Sequence, residues 1–180
     1  MVFLRDMNKP KVFESAGFKA LLDCGPWHNR WLRTALEYLP RDLPTKKNEE
    51  LYFTSTATRR DACRVARDYC QTRELILISE RILPGMNISC ETDPKARYFI
   101  YVVLHEVAHA IKKHHSPLLD DLTREELEAQ EKEADELAMK WFNEHVVALK
   151  REDILLITEE EIRQAQEKNQ VAMKTLMKGA

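Results

Sequence analysis

Two histidines four residues apart, with a glutamate directly after the first, lie in the most hydrophobic part of the chain. They are His105, Glu106 and His109, within the stretch YVVLHEVAHAIKKHH that spans residues 101 to 115. In an α-helix, residues four apart share one face about 6 Å apart along the axis, so both imidazoles can bind one metal ion. Glu106 lies about 100° further round the helix, where it can reach a water on that metal without being a ligand. This pattern is typical of a catalytic zinc site.

The residues around this motif predict a helix that is buried on most sides. The apolar side chains near it are Phe99, Ile100, Val102, Val103, Leu104, Val107 and Ile111. A buried His-Glu-His group without a partner is costly because its polar atoms lose their water, and a bound metal removes most of that cost. The alternative is a pair of core histidines satisfied by backbone groups. The sequence favours the metal site and leaves the alternative open.

A catalytic zinc site needs a third protein ligand, and three residues are candidates. Glu131 lies on the apolar face of a predicted helix, where a carboxylate is expected to be paired or bound to a metal. Glu128 lies one turn earlier and is a weaker choice. His115 has the spacing of the long metzincin signature, but that signature needs a glycine where this chain has Lys112. We therefore rank Glu131 first.

Asp135 follows Glu131 by one helical turn and is the candidate supporting residue. Its carboxylate can accept a hydrogen bond from the outer nitrogen of a ligating histidine and so fix the tautomer of that ring. Glu133, in contrast, points about 160° away from the face that carries Glu131. Ligand and supporting residue are thus expected on one turn of one helix.

A hydrogen-bond donor for the transition state is harder to place from the sequence. Tyr98, His114 and His115 are the nearest donors along the chain. Each of them is more simply interpreted as a surface or packing residue.

The helices and strands predicted around these residues indicate a mixed α+β core. Apolar runs predict strands over 51–55 and 74–79, with a helix over 58–70 between them. Asp93 and Pro94 form a typical N-cap and first-turn pair for the motif helix, which we expect to end near Lys113.

Two further helix starts are marked by capping boxes. Thr123 with Glu126, and Thr158 with Glu161, each have the Ser/Thr-x-x-Glu pattern that satisfies the first backbone amides of a helix. Helices should therefore begin near residues 124 and 159. The first 48 residues contain two short helical patterns, over 12–22 and 27–39.

Composition excludes several other classes of protein. The 28 Lys and Arg residues nearly balance the 30 Asp and Glu residues, without a basic stripe, so we expect no nucleic-acid partner. The longest purely apolar run, Tyr98 to Leu104, is too short to span a bilayer, and no signal-like segment opens the chain, so we expect no membrane partner. The four cysteines, Cys24, Cys63, Cys70 and Cys90, form no Cys-x-x-Cys pair, which favours free thiols in the cytoplasm.

Together the candidate residues resemble a known family. His105-Glu106-x-x-His109 followed by Glu131-x-x-x-Asp135 is similar to the gluzincin zinc peptidases, and most of all to the minigluzincins and ImmA/IrrE-type peptidases. The resemblance implies that His105, His109 and Glu131 bind one Zn²⁺ per chain. It also implies that Glu106 is the general base and that Asp135 supports a ligating histidine.

The resemblance also implies a fold and a division of the chain. We expect a small zincin-like α+β domain over 49–150, in which a short mixed or antiparallel sheet packs on the active-site helix and the glutamate-bearing helix follows. A helical N-terminal extension over 1–48 and a C-terminal helix over 151–180, packed on the domain, would complete the chain.

The function that the resemblance implies is a cytoplasmic zinc metalloendopeptidase acting on a peptide or protein. Zinc would activate a water and Glu106 would take its proton, while an extended peptide pairs with an exposed edge of strand 74–79. Zinc should be lost below about pH 6, because ligating histidines must be unprotonated. The alternative is a catalytically silent or autoinhibited zinc-binding module on the same scaffold, with a side chain such as Cys24 blocking the fourth metal position.

Overall fold

The computed structural model describes residues 11–15, 18–41, 43, 50–56, 61–65, 74–116, 120–150 and 152–178. Within these residues the chain forms a five-stranded mixed sheet and four α-helices. The strands are β1 (Lys11–Ser15), β2 (Phe18–Asp23), β3 (Glu50–Thr56), β4 (Ala62–Val65) and β5 (Glu74–Ser79). The helices are α1 (Pro26–Glu37), α2 (Pro94–Lys112), α3 (Arg124–Leu149) and α4 (Glu159–Lys178). None of these helices is both long and apolar enough to cross a membrane.

The strands are arranged in the order β1-β2-β3-β5-β4. Strands β2, β3 and β5 run parallel to one another, whereas the edge strands β1 and β4 pair antiparallel with β2 and β5. Side chains alternate along β5, so Ile76 and Ile78 are fully buried while Leu75 and Leu77 are only half-buried. Phe53 of β3 is also fully buried, and these residues belong to the same core as the helices.

Helix α2, which contains the histidine motif, lies at the centre of the fold. Of its 19 residues 14 are buried, so its polar residues also lie in the interior. The side chain of Asp93 caps the helix by accepting a hydrogen bond from the Lys95 amide at 2.8 Å, as predicted. The helix ends at Lys113, whose φ of 59° is the left-handed conformation that turns the chain sharply.

Helix α3 runs antiparallel to α2, since Arg97 lies over the ring of Phe142 whereas His105 contacts Glu131. The predicted capping box is confirmed: the Thr123 side chain accepts from the Glu126 amide, and Glu126 accepts from the Thr123 amide. Two small residues with fully buried side chains, Ala134 and Ala138, lie on α3 among the core residues. Residues of this size allow two helix backbones to approach closely.

Helix α4 follows a short segment that is tied to the core. Ile154, Ile157 and Ile162 are buried, and the guanidinium of Arg97 donates to both carboxylate oxygens of Glu161, at 2.7 and 2.9 Å. The Glu161 amide donates to the Thr158 hydroxyl at 3.2 Å, so the predicted helix start is confirmed.

Two predicted helices are wrong. Residues 12–15 and 18–22 lie in the antiparallel strands β1 and β2, where Phe13, Ala20 and Leu22 are buried, and residues 16–17 lie outside the described residues. Residues 62–65 of the predicted helix over 58–70 form β4, while 57–60 and 66–73 lie outside the described residues. In both segments pairing with a neighbouring strand outweighs local helical pattern, which is a weak determinant alone.

The predicted edge strand is also wrong. Strand β5, which has the sequence ELILIS, pairs with β3 on one side and with β4 on the other, so its backbone is occupied on both sides. On this side of the sheet the edge strand is β4 instead. The N-terminal segment is not a purely helical extension either, because β2 pairs in parallel with β3 and joins the same sheet. The division of the chain at residues 48 and 150 stays a prediction.

Candidate metal centre

Three side chains from α2 and α3 bring ligand atoms to one point. The Nε2 atoms of His105 and His109 are 2.9 Å apart, and Glu131 places Oε2 3.4 Å from the first and Oε1 3.8 Å from the second. All three ligand atoms lie within 4.8 Å of one another. Ligands about 2.0–2.1 Å from a tetrahedral zinc ion are separated by about 3.3 Å, which these distances bracket. The group could therefore hold a metal ion.

The helices explain why these atoms meet. His105 and His109 are four residues apart on α2, so their rings share one face. Glu131 lies on α3, three residues before the fully buried Ala134. Its side chain therefore lies close to the contact between α2 and α3. The set contains two imidazole nitrogens and one carboxylate, a common ligand set for catalytic zinc.

Asp135 holds the outer side of His105. Its Oδ1 lies 2.8 Å from Nδ1 of His105, and the hydroxyl of Tyr101 donates to the same oxygen. Burial opposes ionisation of Asp135, but hydrogen bonds from His105 and Tyr101 outweigh it and lower its pKa. Asp135 is thus a carboxylate fixed from two sides, as the supporting role requires.

The same carboxylates set the charge balance around the two rings. Burial disfavours protonation of His105, yet hydrogen bonds to Asp135 and Glu131 raise its pKa to about 10. For His109, burial and the neighbouring positive charge of His105 both act to lower the pKa. The pKa of Glu131 is lowered, chiefly by its hydrogen bond with His105. Asp135 and Glu131 therefore place negative charge beside the two rings, which favours a bound cation.

His109 has a different outer partner, which the sequence analysis missed. Its Nδ1 lies 2.8 Å from Nδ1 of His114, and Nε2 of His114 lies 2.9 Å from Oε2 of Glu133. Oε1 of Glu133 pairs with Nζ of Lys112 at 2.5 Å. His114 was predicted to be a surface or packing residue, and its burial agrees with the second of these alternatives. No local signal marks this contact, because it depends on the left-handed turn at Lys113.

Glu106 lies beside the metal group at the wall of a cleft. The side chain is only 7% exposed, and the cleft has a volume of about 720 Å³. Strand β4 contributes Ala62, Cys63 and Arg64 to its lining, and α4 contributes Gln166, Asn169 and Gln170. The candidate general base thus faces a space large enough for part of a peptide, between an edge strand and a helix.

The other candidate ligands lie apart from this group. Glu128 is exposed and pairs with Arg124 at 2.6 Å on the same helix. His115 has a side chain that is 72% exposed and lies at the rim of the cleft, with Nδ1 3.7 Å from Asp120. Among the described residues, the cluster that can hold a metal contains neither of them. Cys24 is buried, and the described lining of the cleft does not include it.

Comparison of the chain with known protein families, with characterised proteins and with solved structures yields no match. The resemblance to gluzincins therefore depends on the site residues themselves.

The far side of the cleft is formed by a polar cluster around Asp61. Its Oδ2 accepts hydrogen bonds from the Tyr98 hydroxyl at 2.6 Å and from the Asn169 amide at 3.1 Å, and Arg81 lies 3.7 Å from Oδ1. Burial and the bond to Asp61 raise the pKa of Tyr98, so its hydroxyl keeps its proton. Tyr98, one of the three candidate transition-state donors, is therefore a cleft residue whose proton is directed at Asp61.

Proposed function

We propose that this chain is a zinc-dependent metallopeptidase of the gluzincin type, with a zincin-like domain. The observation that carries the proposal is the convergence of His105, His109 and Glu131 beside Glu106 in a cleft bordered by an edge strand. A purely structural metal site gives no role to a glutamate in the wall of a cleft. An open cleft on the remaining side leaves room for a substrate.

A zinc ion at this group would polarise the scissile carbonyl and lower the pKa of a bound water toward 7. Glu106 accepts the proton of the attacking water, and the new bond forms between the water oxygen and the carbonyl carbon. The bond from that carbon to nitrogen then breaks, and Glu106 returns the proton to the leaving amine. Asp135 keeps the ring of His105 oriented throughout.

Strand β4 is the element best placed to bind the substrate. It lies at the edge of the sheet and lines the cleft through Ala62, Cys63 and Arg64. A peptide in extended conformation can add to such an edge through main-chain hydrogen bonds, which depend little on its side chains. On the opposite side, Gln166, Asn169 and Gln170 present amide groups to the same space. Both walls therefore suit an unfolded peptide segment.

Replacing Glu106 with Gln tests the assignment directly. The Glu106→Gln protein should bind one zinc per chain with nearly unchanged affinity, because Glu106 is not a ligand. Cleavage of a denatured protein or peptide library should fall by at least about 100-fold, since a general base contributes about 10²- to 10⁴-fold. Mass spectrometry measures the zinc content of the protein, and chromatography measures the cleavage products.

Glu128→Gln is the matched control, because Glu128 is exposed on α3 and lies outside the metal group. It should retain zinc and activity. Full activity in Glu106→Gln would overturn the mechanism, and a wild-type protein that binds no zinc would overturn the site. A wild-type protein that binds zinc but cleaves no peptide would favour the alternative function, a catalytically silent zinc-binding module.

A further inference from the structure

The two histidines of the metal group are held in different ways on their outer sides. His105 contacts the carboxylate of Asp135 directly at 2.8 Å, whereas His109 contacts a second histidine, which in turn contacts a carboxylate. His114 is 8% exposed, so its ring lies in the interior beside His109, whereas the side chain of Glu133 is 46% exposed. The ring of His114 thus lies between the candidate ligand His109 and the carboxylate of Glu133.

Proton positions in this chain follow from the chemistry of imidazole. A neutral histidine has one nitrogen that donates and one that accepts, and metal binding uses the accepting one. If Nε2 of His109 faces the metal, Nδ1 of His109 has the proton. Nδ1 of His114 must then accept it, so Nε2 of His114 donates to Glu133, which as a carboxylate only accepts. One arrangement of hydrogens satisfies every atom.

We infer that His114 and Glu133 are positioning residues that hold His109 in the tautomer needed to bind the metal. The inference rests on the proposed metal site and deepens it. Glu133 acts on His109 through His114, as Asp135 acts on His105 directly. The outer partners of ligating histidines generally raise ligand basicity and fix ring orientation.

Residues of several helices and strands hold His114 in place. The left-handed turn at Lys113 folds the chain back, so the His114 amide donates to the His109 carbonyl at 3.1 Å. The guanidinium of Arg64 on β4 donates to the His114 carbonyl, and its Nε donates to buried Glu74 on β5 at 2.8 Å. Lys112 holds the other oxygen of Glu133. Such anchoring is what a positioning residue needs, because a mobile ring would not select a tautomer.

Two substitutions of His114 separate this role from simple packing. The amide of Asn occupies nearly the place of Nδ1, so His114→Asn keeps an acceptor for His109 and loses the contact to Glu133. The amide of Gln reaches the place of Nε2, so His114→Gln keeps the Glu133 contact and leaves His109 without its acceptor. Gln fills more of the cavity than Asn, so a packing role predicts that His114→Gln is the milder change.

The positioning role predicts the opposite ranking. Zinc affinity, measured by competition with a chelator, should fall about 10- to 100-fold in His114→Gln and by less than about 10-fold in His114→Asn. Glu133→Gln should weaken zinc binding by an intermediate amount. Glu136→Gln is the control on the same helix, because Glu136 is 64% exposed and lies 3.9 Å from Lys132. It should leave zinc affinity unchanged.

Nitrogen-15 NMR of the zinc-loaded wild type tests the inference without any substitution. The expected spectrum shows the proton of His109 on Nδ1 and that of His114 on Nε2. The reverse tautomer of His114, equal zinc affinities in all variants, or a weaker affinity in His114→Asn than in His114→Gln would overturn the relay while leaving the metal site intact. A wild type without zinc affinity would overturn both proposals.

Discussion

The two sides of the cleft are built differently. The metal side consists of long helices, α2 and α3, whose ligands belong to the buried contact between them. The other side consists of the four-residue strand β4, which pairs with β5, and the face of α4 that lines the cleft, where Asn169 donates a hydrogen bond to Asp61. Side chains that bind a metal or react need fixed positions, whereas a surface that binds peptides of varied sequence tolerates small movements. We expect substitutions on the metal side to change zinc affinity, and substitutions on the other side to change stability or KM.

The largest effect should come from the ion pair that anchors β4. Arg64 and Glu74 are 6% and 3% exposed and lie 2.8 Å apart. Glu74→Ala leaves the buried guanidinium with its hydrogen bond to the His114 carbonyl but without the carboxylate that balances its charge, which should reduce the free energy of unfolding by about 3–5 kcal/mol. Urea denaturation followed by circular dichroism measures this loss. Glu80→Ala, at an exposed residue just after β5, is the control. Equal stability of both variants would show that the position of β4 does not depend on this ion pair.

Loss of a ligand should be the next largest effect, and it should be confined to the metal side. Glu131→Ala should lower zinc affinity by more than about 100-fold, beyond the range for loss of an outer partner. Stability without metal should change little, because Glu131 is only half-buried. His115→Ala is the control and should retain zinc. The opposite ranking would favour the metzincin spacing and remove Glu131 from the site.

The smallest effect should come from α4. Asn169→Ala removes one hydrogen bond to Asp61, which should cost about 0.5–1.5 kcal/mol of stability. For a peptide substrate, KM should rise several-fold while kcat stays near the wild-type value, since Asn169 lies on the proposed substrate-binding wall and has no role in the proposed reaction. Gln164→Ala is the control, because Gln164 pairs with Glu160 on the exposed face. A drop in kcat with unchanged KM would show that α4 affects the reaction and not substrate binding.

The site residues could be predicted from the sequence to different extents. His105, Glu106 and His109 follow from spacing along one helix, and Glu131 and Asp135 follow from a carboxylate on an apolar stripe. The structure brings ligand atoms of His105, His109 and Glu131 within 4.8 Å of one another, while the roles of the five residues stay a prediction. The contact between His114 and Glu133 could not be found, because 19 residues separate them and a left-handed turn at a lysine brings them together.

The sequence by itself determined the helices α2, α3 and α4, because caps at Asp93, Thr123 and Thr158 and their apolar patterns act within a few residues. Only the tertiary structure decided that residues 12–15 and 18–22 form strands, that β4 and not β5 lies at the edge, and that His109 has a histidine as its outer partner. Strand pairing and buried polar contacts join residues far apart in the chain, and their free energy depends on burial that local patterns do not encode.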